Sequence, residues 1–193
     1  MRQSVRVAIA ISIGAAAGPA SWVALASLAP WVLRLPELLL QNAAVGAILA
    51  GAFGLVTGSV ERVSEGAPRA SWSGATAGMA SGLASGAVAG AAAAHVFAVA
   101  EVWSIGAVPG AGGFDISRAL SVFSLLGVTG AVWGAVEAVR VRSARRSVAG
   151  ALGGLVAAAP AAAVLVSLPP SSGVALGSMT LYGALFGLST SLF

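Results

Sequence analysis

Between Gly74 and Gly90 a glycine falls at every fourth position, Gly74, Gly78, Gly82, Gly86 and Gly90, inside an uncharged stretch that runs from Ala70 to Ala100. In water such a segment makes a poor helix, because each interior glycine costs roughly 0.8–1 kcal/mol relative to alanine. In a bilayer the balance reverses. Hydrocarbon offers no partner for a free N–H or C=O, so the segment must close its own hydrogen bonds as a helix. Spaced by four, the glycines then line one face as a groove. A neighbouring backbone can enter that groove, and van der Waals contact replaces the absent hydrophobic drive between helices.

The whole chain shares this character. Of 193 residues 58% are hydrophobic and 8% charged, more apolar surface than a soluble domain of this size can bury. All ten basic residues are arginine, giving a formal net charge of +4. They lie between apolar runs, where they act as topology determinants rather than as a nucleic-acid surface. The absence of cysteine excludes disulfides, thiolate metal sites and cysteine nucleophiles.

The uncharged runs predict six spans, at about 7–29, 38–60, 73–100, 119–136, 147–168 and 174–193. The first, with Arg2 and Arg6 ahead of it and Ala24-Leu25-Ala26 within it, can also be read as a signal peptide. A retained helix is favoured, because the run from Val7 to Leu33 is long enough to cross a core of about 30 Å. Segment 31–37 reads as a turn, Gly106–Asp115 as a flexible connection and Pro169–Gly173 as a second turn. With the N-terminus inside, the inner segments hold Arg2, Arg6, Arg62, Arg69, Arg140, Arg142, Arg145 and Arg146, and the outer ones only Arg34 and Arg118. That imbalance places both termini in the cytoplasm.

Residues 54–78 and 130–154 align without a gap at 11 of 25 positions. The shared positions include Gly54, Gly58, Glu61, Arg69, Gly74 and Gly78, matched by Gly130, Gly134, Glu137, Arg145, Gly150 and Gly154. Each copy is a hairpin: a helix ending in glutamate, a basic loop and a glycine-led return helix. Fainter echoes at YGALFGLST from Tyr182 and VAIAISIGAAAGPA from Val7 extend this to three hairpins with approximate threefold order. The expected fold is an all-α integral membrane protein, a six-helix bundle of repeated glycine-zipper hairpins.

Few residues suggest chemistry. Glu61 and Glu137, equivalent in the repeat, form a candidate ion or proton vestibule; the alternative is interfacial glutamates paired with nearby arginines. Arg140, Arg142, Arg145 and Arg146 form a candidate contact for anionic lipid or an acidic partner, or a plain inside-retention signal. His95, the single histidine, is expected to be a hydrogen-bonded packing residue, with a proton relay as the alternative. Ser81, Ser85, Thr57 and Thr129 are expected to bond backbone carbonyls or neighbouring helices, or else to line a narrow polar pore. The tryptophans Trp22, Trp31, Trp72, Trp103 and Trp133 suggest an aromatic belt. No metal-ligand set, cofactor signature or nucleophile–base pair is visible.

The pattern G-x-x-x-G-x-x-E, an arginine-bearing loop and G-x-x-x-G-x-x-x-G resembles glycine-zipper repeats of bacterial multi-pass membrane proteins with no assigned activity. It is also similar to the glycine-zipper helices of the mitochondrial inner-membrane protein translocase family, which implies partner-dependent assembly, although six predicted spans depart from that family's four. The expected function is non-enzymatic: a scaffold or subunit of a bacterial inner membrane, in contact with lipid and with copies or partners and without nucleic acid. The alternative is a channel or small-solute transporter with Glu61 and Glu137 at its inner mouth.

Overall fold

A computed structural model describes residues 3–64, 72–105, 119–120, 122–132, 144–168 and 171–191. All regular structure among them is helical: α1 (Gln3–Val32), α2 (Leu38–Ser64), α3 (Trp72–Ile105), α4 (Val122–Val132), α5 (Ala144–Ser167) and α6 (Ser172–Ser191). Four helical stretches are long and apolar enough to cross a membrane, Gln3–Val32, Leu38–Val60, Trp72–Val96 and Ser172–Ser189. The described parts of the other two predicted spans are shorter apolar helices, Val122–Val132 and Ala151–Ser167.

The helices persist through residues that would weaken them in water. α1 carries Pro19 and Pro30, and α5 carries Pro160; neighbouring helices and hydroxyl side chains make such breaks tolerable in apolar surroundings. Accordingly α1 continues past Pro30, and the turn expected over 31–37 is confined to 33–37. There Arg34 lies over the Trp31 ring, 5.1 Å from its centroid.

Glycine sets the helix contacts. Along α2 and α3 a Cβ on Gly90, Gly86, Gly82 or Gly78 would overlap the carbonyl of Asn42, Gly46, Ala50 or Gly54 respectively, and one on Gly58 would overlap that of Gly74. The partners step by four in opposite directions, so the two helices run antiparallel with their backbones in contact over the whole stripe. The same contact joins α1 and α6, which are distant in sequence. Gly14 and Gly183 each face the other's carbonyl, Gly18 faces Met179, and Gly187 faces Ala10. In α4 and α5, a Cβ on Gly130 would lie 2.6 Å from the Gly154 Cα.

These pairings fix direction. α1 is antiparallel to α6 and, through the short turn at 33–37, to α2. α5 is antiparallel to α4 and, with Gly153 against Ser189 and Ala161 bonded by Ser178, to α6. Hence α2, α4 and α6 run one way, and α1, α3 and α5 the other. The start of α1 and the end of α6 lie on the same side of the bundle.

Close approach leaves little room between helices. Much of the buried core is alanine: Ala17, Ala157, Ala158 and Ala161 are fully enclosed. Larger apolar side chains face outward, as with Val23, Val88 and Val156, each more than half exposed.

Gly54→Ala and Gly183→Ala are therefore expected to destabilise the fold by about 1–3 kcal/mol, the usual cost of overpacking. A Cβ on Gly177 would meet nothing within 4 Å, so Gly177→Ala should be neutral or stabilising. The same contrast holds between Gly82→Leu, which fills the groove, and Val88→Leu on the exposed face. Unfolding of the five variants in mixed detergent checks this ordering; equal stability of the set would contradict the backbone-contact account.

Candidate functional site

The helices that run in the same direction, α2, α4 and α6, converge on one point. A cavity of about 20 Å³ lies there, with Ala50 and Phe53 from α2, Leu126 and Thr129 from α4, and Met179 and Tyr182 from α6 among its lining. Each helix contributes the residue just before its contact glycine: Phe53 precedes Gly54, Thr129 precedes Gly130 and Tyr182 precedes Gly183. Gly54 and Gly183 face the paired helix, Gly130 meets both the Gly154 backbone and Tyr182 Oη, and the residue before each glycine lines the cavity.

Aromatic rings pack around this point. Phe53 meets Tyr182 and Phe186 edge-on, with centroids 6.1 and 5.7 Å away, and Tyr182 stacks on Phe186 at 6.2 Å. All three are buried. Edge-to-face pairs of this kind contribute roughly 0.5–1.5 kcal/mol beyond their buried area.

Two hydroxyls tie α6 to its neighbours. Tyr182 Oη donates to the Leu126 carbonyl of α4 at 2.9 Å, and Ser178 Oγ donates to the Ala161 carbonyl of α5 at 2.7 Å. Gly130 makes the first bond possible, because a Cβ there would stand 2.6 Å from Tyr182 Oη. Most other hydroxyls bond within their own helix, as Ser21 does to Ala17 and Thr57 to Phe53. Thr57, Ser81 and Ser85 thus bond backbone carbonyls as expected from the sequence. Thr129 does not: its Oγ1 is buried without a hydrogen-bond partner in the protein.

The residues singled out in the sequence divide into three groups. Gly54, Gly58, Gly74, Gly78, Gly82, Gly86, Gly90, Gly130 and Gly154 are buried where helices touch. Glu61 lies in the last turn of α2, and Arg145, Arg146 and Gly150 lie in the first two turns of α5, with their surroundings outside the described structure. Gly134, Glu137, Arg140 and Arg142 lie outside the described residues.

Two expectations need correction. His95 is exposed on α3 rather than packed. Trp22 packs against the central apolar cluster instead of joining a belt, whereas Trp31 and Trp72 are strongly exposed near helix ends. No group of three metal-ligating side chains occurs among the described residues. The central aromatics were not singled out in the sequence; the available signal was the position of Phe53 and Tyr182 directly before equivalent glycines.

The chain matches no protein-family model, no curated protein and no solved structure.

Because the Ser178 bond crosses between helices in fully buried surroundings, Ser178→Ala is expected to cost about 1 kcal/mol. Ser21→Ala, which removes a bond to a carbonyl in its own helix, should cost less. Detergent unfolding of the two variants compares them directly.

Proposed function

We propose that the chain is a non-enzymatic, multi-pass scaffold or subunit of a bacterial inner membrane that packs against copies or partners through lipid-facing helices. The observation that carries this reading is the closed centre of the bundle. Where a conduit along the axis would run, Phe53, Tyr182 and Phe186 are in ring contact, and the space left between α2, α4 and α6 is about 20 Å³. That arrangement suits a rigid packing unit and weighs against the channel or transporter alternative.

The proposal includes six spans. α4 and α5 pair with each other, and α4 bonds α6, at the depth of Gly130, Gly154 and Tyr182, alongside helices long enough to cross a membrane. It also includes three glycine-zipper hairpins: α2 with α3, α4 with α5, and α6 with α1. In support, Gly54–Gly78, Gly130–Gly154 and Gly183–Gly14 are the same kind of contact at the same place in each pair. The arginine distribution supports cytoplasmic termini, and the Ala-, Gly- and Arg-rich composition supports a bacterial source. The pattern shared with glycine-zipper repeats supports partner-dependent assembly.

Reconstituted in liposomes, the protein is expected to pass no more ions or protons than empty vesicles do. In mild detergent from native membranes it should retain copies or a larger partner in fixed stoichiometry. Flux that disappears in a Glu61→Gln, Glu137→Gln double variant, from protein recovered as a monomer, would overturn the proposal.

The native chain has no cysteine, so topology can be read by single substitutions. An impermeant maleimide added outside intact cells should label Glu37→Cys and Ser171→Cys, and should label Ser4→Cys only after the membrane is opened.

A further inference from the structure

We propose that the cavity between α2, α4 and α6 is a hydration site that binds one water molecule between the hydroxyls of Thr129 and Tyr182. Size and chemistry both select water. An internal water needs roughly 10–15 Å³ of space for its centre and two to four polar partners; the cavity offers about 20 Å³, enough for one molecule.

The polar partners are those two hydroxyls. A threonine hydroxyl in a helix ordinarily donates to a carbonyl one turn earlier, as Thr57 does to Phe53 at 3.0 Å and Thr180 to Leu176 at 2.8 Å. Thr129 makes no such bond although its Oγ1 is inaccessible. Its proton has no acceptor within the protein, and Thr129 is part of the cavity lining. Tyr182 Oη uses its proton on the Leu126 carbonyl and keeps its lone pairs as acceptors. A water here accepts from Thr129 and donates to Tyr182, which completes a chain from the Thr129 hydroxyl to the Leu126 carbonyl.

Other occupants fit worse. A calcium or magnesium ion requires about six or more oxygen ligands, whereas this lining presents two hydroxyl oxygens and no charged side chain. An apolar ligand would leave Thr129 unpaired, and it would have to be no larger than water. The site exists because α4 carries Thr129 where α2 and α6 carry Phe53 and Tyr182; a third ring would fill the space.

The test combines an experimental structure showing ordered water with a double-mutant cycle. We expect density within hydrogen-bond reach of both Thr129 Oγ1 and Tyr182 Oη. Thr129→Val, which keeps the shape and removes the hydroxyl, should lower the folded-to-unfolded ratio in detergent roughly fivefold to tenfold, with Thr129→Ser near wild type. Because one water serves both groups, Thr129→Val combined with Tyr182→Phe should lose less than the product of the single losses. A dry cavity, density touching one hydroxyl alone, a Thr129→Val protein as stable as wild type, or additive effects would each overturn the proposal.

Discussion

Backbone-to-backbone contact at glycine is the interaction on which the rest of this bundle depends. Among apolar surroundings, helices gain little from hiding leucine from lipid, and association falls to van der Waals contact and interhelical hydrogen bonds. A glycine brings the neighbouring carbonyl to the distance a Cβ would occupy, and repetition every four residues carries that contact along a helix. α2 and α3 hold it from Asn42–Gly90 to Gly58–Gly74, and α1 and α6 from Gly187–Ala10 to Gly18–Met179. Such a contact allows one register, because a slip of one or two residues sets side chains against a backbone.

The inner architecture follows from this. When paired helices touch through glycine and alanine, bulky side chains must go outward or to the axis. Outward they meet the surroundings, as Val88 and Val156 do. At the axis they become the cluster of Phe53, Tyr182 and Phe186. At α4 one glycine serves two contacts, since Gly130 accepts both the Gly154 backbone and the Tyr182 hydroxyl. A side chain there would separate α4 from α5 and break the bond that holds α6 to Leu126.

Much of the fold was legible because its determinants are periodic. The four-residue stripe from Gly74 announced a helix with a contact face, and that face meets α2. The α1–α6 pair was visible only as an echo, since Gly14, Gly18, Gly183 and Gly187 are sparse and far apart in sequence. Within α2, Gly46 and Asn42 lie outside the repeated segment, yet they receive the far end of the α3 stripe. The central site was less legible for a physical reason. In a run apolar on all sides, nothing in local sequence tells which face meets the axis, so Phe53, Thr129 and Tyr182 stand out only once their helices converge. His95 failed in the opposite way: a lone polar residue in an alanine run suggests a buried partner, but α3 presents it outward.

α1 and α6 are held to each other by the same glycine contact that holds α2 to α3. α6 thus has three kinds of neighbour: α1 through glycine, α5 through Ser178 and α4 through Tyr182. The helix that closes the bundle thus carries both of its interhelical side-chain hydrogen bonds noted at the centre. Glycine contacts set how near the helices come, whereas these hydroxyls discriminate one neighbour from another. A bundle assembled from glycine and alanine alone would have closely spaced helices with little to choose between arrangements, and α6 supplies the directional bonds that select this one.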